Sequence, residues 1–385
     1  MIRLEDLTKR FGSVVAADRI NMEVKEGEIC ILLGPSGCGK TTTLKMVNRL
    51  IPKTSGRILV NGRDTDGIDP VEVRRGMGYV IQQIGLFPNM TVEENICVVP
   101  RLLKWDEAKA KRRAAELLSL VALDPAVFLK RFPKELSGGQ QQRVGVARAL
   151  AADPPIMIMD EPFGAIDPIN REVIQDEFLR MQQTLRKTIL FVSHDIDEAV
   201  KMGDKVAIFR AGKLEQFDSP DNVLAHPANA FIADFVGGDR TLKRLRLVTV
   251  AQAADEDAPA IGEDDRVDDA HAIMRERGDE ALVVVDRDRR PVGWLDVEDV
   301  AGRGAGRAGD RARPIPAVVR TSADLRTAVS LMFTHDVARL ACVDAEGRHA
   351  GIVTHAGITR ILGETYRRAR PTSYAGVEPT LEAAT

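Results

Sequence analysis

At 385 residues the chain is too long for one ordinary domain, and two or three are expected. Hydrophobic residues at 44% and charged residues at 29% match a globular protein with a large core. The formal net charge of −3 carries no basic excess, which argues against nucleic acid as the main partner. No apolar run approaches the ~18–20 residues that span a bilayer, so a membrane role has to come through a partner subunit. Cys30, Cys38, Cys97 and Cys342 lie far apart without a C-x-x-C pair, which predicts reduced thiols rather than a disulfide or zinc framework.

The chain opens on "MIRLEDLTKRFG", an alternating strand pattern without a signal-type apolar core. Up to about residue 236, short apolar runs alternate with helical patterns, the layout of an α/β domain. "EICILLG" (28–34), "PIMIMDE" (155–161) and "TILFVSH" (188–194) are nearly continuous in apolar residues, as parallel strands covered on both faces should be. "RILVNG" (57–62) and "KVAIFRAGKLEQF" (205–217) predict a strand and a hairpin with glycine-containing turns. "DEAKAKRRAAELLSLVAL" (106–123) predicts a helical lobe between them.

"GPSGCGKTT" (34–42) follows the first buried strand and opens a helix, the context a phosphate-binding loop requires. Gly34, Gly37 and Gly39 let the backbone curl around Pro35, Ser36 and Cys38 so that N–H groups face a phosphate. Lys40 is expected to reach the β- and γ-phosphates, Thr41 to ligate Mg²⁺, and Thr42 to support the α-phosphate. In "IMIMDEP", Asp160 is suited to hold Mg²⁺, and Glu161, facing the other way, to polarise an attacking water as general base. "LSGGQQQRVGVARAL" (136–150) predicts a second helix N-terminus, built of small residues and ready to meet an anion.

The order of these motifs resembles that of the ATP-binding cassette (ABC) family over residues 1 to about 236. The resemblance implies a P-loop fold with a mostly parallel sheet, an antiparallel β subdomain and a helical subdomain. It also implies ATP and Mg²⁺ as cofactors and a head-to-tail homodimer. In that arrangement Ser137, Gly138, Gly139 and Gln140 of one copy meet the ATP held by the other, and Asp167 in "GAIDP" belongs to the crossing loop. Gln82 matches the glutamine that touches Mg²⁺ and the attacking water, His194 the histidine on the γ-phosphate, and Phe11 the aromatic that stacks on adenine. "IGLFPNMTV" (84–92) matches the surface that receives a permease helix.

The second part repeats itself. "VDDAHAIMRERGDEALVVVDRDRRPVGWLDVEDV" (267–300) aligns without gaps on "LRTAVSLMFTHDVARLACVDAEGRHAGIVTHAGI" (325–358), pairing Ala270 with Ala328 and Gly293 with Gly351. The pair resembles two CBS motifs. The expected layout is a cassette over 1–236, a linker over 237–250, an α/β tandem CBS module over 251–363 (repeats about 251–302 and 310–363) and a loose tail over 364–385. Asp299 and Thr354 stand where such motifs hold ribose, but each half-site lacks its companion: Asp296 replaces the hydroxyl, and Gly357 the acid. A nucleotide-binding and a purely structural module therefore both stay open. The basic stretches "LKRLRL", "GRGAGRAGDRAR" and "YRRAR" are either solubilising linkers or contacts for anionic lipid.

Finer resemblance, in "YVIQQIGLFPNMTVEENI" and the cassette-plus-repeat layout, lies with the osmoprotectant branch of importers. It implies uptake of glycine betaine, carnitine, choline or proline betaine with membrane permease subunits and, indirectly, a substrate-binding protein, at the cytoplasmic face of the membrane. An importer ATPase for an amino acid, polyamine or metal ion is the first alternative, and a soluble ABC ATPase the second.

Overall fold

The apolar runs become strands whose side chains alternate between two covered faces. The computed structural model describes residues 1–81, 85–164, 166–300 and 306–368. They divide into two compact units, Met1–Val223 with Pro227–Gly237, and Leu224–His226 with Gly238–Thr385.

In the first unit, β1 (Ile2–Phe11), β2 (Val14–Val24), β4 (Ser55–Val60) and β5 (Arg63–Asp64) form an antiparallel sheet in the order β2-β1-β4-β5. A second sheet contains β3 (Ile29–Leu33), β6 (Met77–Val80), β7 (Ile156–Asp160), β8 (Thr188–Val192), β9 (Lys205–Arg210) and β10 (Lys213–Asp218). Its order is β10-β9-β3-β8-β7-β6, parallel throughout except for the β9–β10 hairpin at one edge. Every residue of β3, β7 and β8 is buried. Cys30, Leu32, Ile156, Ile158, Leu190 and Val192 share one core with Leu44, Met46 and Val47 of the helix Lys40–Val47. The side chains between them on each strand point to the opposite face. A helical lobe contains Val92–Leu102, Glu107–Leu120 and Gly138–Leu150.

In the second unit, β11 (Ala260–Gly262), β12 (Ala281–Val285), β13 (Pro291–Asp296) and β14 (Arg313–Pro314) make the first repeat's sheet. β15 (Val318–Arg320), β16 (Arg339–Val343) and β17 (His349–Thr354) make the second. The repeats meet through Ala281, Val283, Val285 and Trp294 on one side and Ala341 and Ile352 on the other. Arg339 of β16 ties them further, donating to Asp296 Oδ1 of β13 at 2.7 Å and lying over the Trp294 ring.

Three expectations need correction here. The segment read as a linker over 237–250 is core material, because Leu245, Val248 and Val250 are buried with Leu325, Ala328 and Met332 of the second repeat. The stretch over 301–314, whose Gly, Ala and Arg content predicts a flexible linker, contributes in its described part to the first repeat's packing: Ala308 is buried, and Arg313–Pro314 pairs with Gly293 and Trp294. The last helix, His355–Arg368, runs past the point where the tail was expected to begin; residues 369–385 lie outside the described residues.

Candidate functional site

Parallel strands gather functional groups at their carboxyl ends. Neighbouring β3, β8 and β7 deliver the glycine loop, His194 and the Asp160–Glu161 pair to one edge of the sheet. The loop after β3 is shaped by glycine where nothing larger fits. A Cβ on Gly34 (φ 140°) would lie 2.2 Å from the Phe209 carbonyl oxygen, and one on Gly39 (φ 106°) 2.2 Å from that of Ala16. Pro35, Ser36 and Gly37 form the exposed crest, whereas Cys38 is buried beneath it. Lys40 curls back so that its ammonium donates to the Gly34 and Pro35 carbonyls at 2.6 and 3.0 Å. Thr43 donates its hydroxyl to the Gly39 carbonyl at 3.0 Å and steadies the first turn, on which Thr41 and Thr42 are half-buried.

Strand parity aims Asp160, and the turn just after the strand aims Glu161. Asp160 shares the face of Ile156 and Ile158, towards the helix Lys40–Val47, and accepts the Thr41 hydroxyl at 3.1 Å. It is 6% exposed, and burial pushes its carboxyl above the ordinary range although the Thr41 hydrogen bond pulls the other way. Two hard oxygen donors side by side, one a desolvated carboxylate, are the chemistry a magnesium ion fits. Glu161 follows with φ 47°, its N–H on the Val192 carbonyl at 3.0 Å. Its Oε2 stands 3.9 Å from His194 Nδ1, so the chain turns this carboxylate towards His194 while Asp160 faces the helix.

Phe11 ends β1 with its ring 52% exposed and the Lys9 ammonium 4.7 Å from its centre, a surface open to a flat π-system. The helix Gly138–Leu150 begins with a reciprocal cap. Ser137 Oγ accepts the Gln140 N–H at 3.3 Å, and Gln140 Oε1 accepts the Ser137 N–H at 3.0 Å. Ser137 and Gly138 are exposed, and a Cβ on Gly138 would meet nothing within 4 Å. Among the described residues no hydrogen bond or ion pair joins this helix tip to the glycine loop of the same chain. Asp167 is exposed and heads the helix Pro168–Leu185, accepting the Arg171 N–H at 2.9 Å. Gln82 lies outside the described residues.

The structure adds a residue that sequence patterning passes over. Asn95 is wholly buried and organises the loop beyond Gln82. It donates from Nδ2 to the carbonyls of Phe87, Met90 and Thr91 at 3.1, 3.1 and 2.9 Å and accepts the Phe87 N–H at 2.8 Å. Arg148, near the far end of the helix that starts after Ser137, donates to the Gly85 carbonyl at 2.6 Å. The loop is thus held from two helices, with the exposed Phe87 ring at its surface.

In the second unit, Asp299 is engaged by Arg313 at 2.8 Å, and Asp296 by Arg339 and Arg313. Thr354 accepts the Gly357 N–H at 3.0 Å and lines a cleft of about 820 Å³. That cleft carries five carboxylates, on Asp255, Glu256, Asp257, Asp279 and Glu280, against the guanidiniums of Arg339 and Arg360, a field that opposes phosphate. The basic stretches are largely spoken for. Arg244 is buried, Arg307 pairs with Asp264 at 2.7 Å, and Arg313 with the two aspartates. Side chains of "YRRAR" lie outside the description.

Comparison with known proteins agrees with this division. The ABC transporter family model matches residues 17–164, and the CBS domain model matches residues 250–306 and 309–364. The osmoprotectant import ATP-binding protein OsmV of Salmonella typhimurium is 51% identical over 95% of this chain and 98% of its own length. The glycine betaine/carnitine/choline transport ATP-binding protein OpuCA of Bacillus subtilis is 46% identical, over 94% and 96% respectively. Among solved structures, the dimeric cassette MJ0796 in a post-hydrolysis state bound to ADP and phosphate shares 34% identity with a TM-score of 0.52. It covers 57% of this chain and 99% of its own.

Proposed function

The chain belongs to the ABC transporter ATP-binding family, and we propose that it is the ATP-hydrolysing subunit of an importer for quaternary-amine osmoprotectants such as glycine betaine, carnitine or choline. The observation that carries the ATPase assignment is the convergence of Gly34–Thr42, Asp160–Glu161 and His194 at the ends of three adjacent parallel strands. The substrate class rests on relatives that match along both the cassette and the repeat module and whose names give osmoprotectants in one case and glycine betaine, carnitine and choline in the other.

Within this reading the loop N–H groups and Lys40 hold the phosphates, and Phe11 stacks on the adenine. Thr41 and Asp160, with Gln82 by resemblance, would hold Mg²⁺, which when bound would neutralise phosphate charge. Glu161 takes the proton of the attacking water, and His194, beside it, contacts the γ-phosphate. Ser137 and Gly138 are exposed and Gly139 and Gln140 half-buried at a helix tip that, among the described residues, makes no hydrogen bond to its own glycine loop, which suits the four to the ATP of a second copy. Asp167 serves the same interface. The loop held by Asn95 and Arg148 offers Phe87 to a membrane permease, at the cytoplasmic face where a substrate-binding protein acts only indirectly. The repeat module tunes transport; its acidic cleft, with Asp299 already paired, favours a regulator other than a nucleotide phosphate.

Co-expression with its permease and binding protein, followed by uptake of labelled glycine betaine, carnitine and choline against an amino acid and a polyamine, tests the substrate class. Uptake of a quaternary amine that stops in Glu161→Gln, which traps a nucleotide-bound dimer, is the expected result. Uptake confined to another solute class refutes the substrate assignment, and near-normal ATP turnover in Glu161→Gln refutes the base.

A further inference from the structure

Behind His194 lies a buried polar cluster that the assigned chemistry does not use. Glu198, on the helix Ile196–Met202, is 6% exposed. Its Oε2 accepts the Ser193 hydroxyl at 2.5 Å, and its Oε1 accepts Nε2 of the buried Gln175 at 3.2 Å. The Ser193 oxygen in turn accepts the Asp195 N–H at 3.0 Å, so the residues on both sides of His194 are fixed to one carboxylate. Ser193 also donates its N–H to the Leu32 carbonyl at 3.1 Å, joining the same point to the strand that leads into the glycine loop.

Gln175 brings in the other partner. It sits on the helix Pro168–Leu185, which begins directly after Asp167. A second tie runs alongside: Arg171 faces Asp195 at 3.8 Å while its Nη2 donates to the Ile166 carbonyl at 2.9 Å. The neighbours of Glu198 on its own helix, Ala199, Val200 and Met202, are buried and apolar. Burial raises the carboxyl of Glu198, the mark of a group that costs more to place there than a hydrocarbon side chain. What the carboxylate supplies in return is two directed bonds in a low-dielectric setting, one to the His194 loop and one to the helix that follows Asp167.

We propose that Glu198 is a positioning residue: with Ser193 and Gln175 it locks the His194 loop to the helix that follows Asp167. Seating of the Asp167 loop against a second cassette then sets where His194 stands over the nucleotide. The proposal rests on the roles given above to His194 and Asp167.

Full-length variants assayed for ATP turnover with the permease present test it. Glu198→Ala should lower kcat about tenfold while the KM for ATP stays within about twofold, because nucleotide binding is untouched. Glu198→Gln should return to within about threefold of the parent, since it accepts from Ser193 and Gln175 can turn its amide to accept in return. Gln175→Leu leaves the Ser193–Glu198 bond in place, so it carries the test even if Glu198→Ala folds poorly. It should lose a similar factor, and the double variant should lose no more than the worse single. Parental kcat in Gln175→Leu, or equal losses in Glu198→Ala and Glu198→Gln, overturns the proposal. His194→Ala separates the two layers. If it is inactive while Gln175→Leu turns over normally, only the positioning idea falls; if it is fully active, the assignment of His194 falls and takes the proposal with it.

Discussion

Replacing Asn95 should unfasten the loop expected to meet the permease, and the penalty can be estimated from its bonds. The side chain is wholly buried, yet of the residues it bonds Phe87 is exposed and Met90 and Thr91 are only half-buried. Asn95→Ala removes the acceptor of the Phe87 N–H and an amide whose two protons are shared among three carbonyls at 2.9–3.1 Å, about three hydrogen bonds in all; of those carbonyls Thr91 keeps the Asn95 backbone N–H. At about 0.5–1.5 kcal/mol each, with water recovering part of the loss at the exposed end, the expected destabilisation is about 2–4 kcal/mol. Asn95→Asp is the sharper test. It has the same shape, but its carboxylate would face three carbonyl oxygens with no proton to give. It should be worse than alanine by about 1–2 kcal/mol at neutral pH. Its native-state pKa would be raised, so the deficit should shrink as pH falls and the acid becomes able to donate. Urea titration reads this cleanly in a Trp294→Phe background, because the chain has 2 tryptophans and Trp105 then reports the cassette alone. An aspartate variant as stable as the parent, or milder than alanine, refutes the account of the loop.

Asp160→Asn should raise the thermal stability of the nucleotide-free chain at neutral pH while abolishing Mg²⁺-dependent turnover. The native carboxyl is raised by burial, so the folded state binds its proton more tightly than the unfolded state does, and stability falls as pH rises through that window. The gain should therefore be full above the window and vanish towards the ordinary aspartate value near about pH 4; melting curves across that range that show a gain growing in acid contradict the burial argument. Arg339→Ala removes the bridge between the repeats to Asp296 and the Trp294 ring, and should lower the module's stability by about 1–2 kcal/mol. Calorimetry of the whole chain with excess ATP shifts the cassette transition upward and leaves the module's transition to report the change.

The parts of the site legible in the sequence are those that local geometry dictates. A glycine loop needs left-handed backbone and close approach, and Gly34 and Gly39 show both; only glycine satisfies them, so the motif announces itself. Asp160 and Glu161 part ways because the strand ends at Asp160 and the backbone turns at Glu161 with φ 47°, so one meets Thr41 while the other stands near His194. Asn95 and Glu198 carry no such mark. Each is a polar residue in a helix, and burial is what gives it meaning; burial is decided by which loop or helix folds over it from elsewhere in the chain.

The same cause misled the reading of the basic linker. "TLKRLRLVTV" looks like charged spacer because its apolar residues are interleaved with lysine and arginine, and nothing local says that Leu245 and Val248 face a core. That core belongs to the second repeat, not to the first repeat that follows in sequence. Residues ahead of the first repeat help complete the second, whose helix Leu325–His335 lies about eighty positions later, and the Arg313–Pro314 strand at the start of the second repeat completes the sheet of the first. Each repeat therefore borrows from the segment that leads into the other. A truncation placed at the apparent boundary between them would strip both cores at once, so the module has to be removed or kept whole for any test of what it regulates.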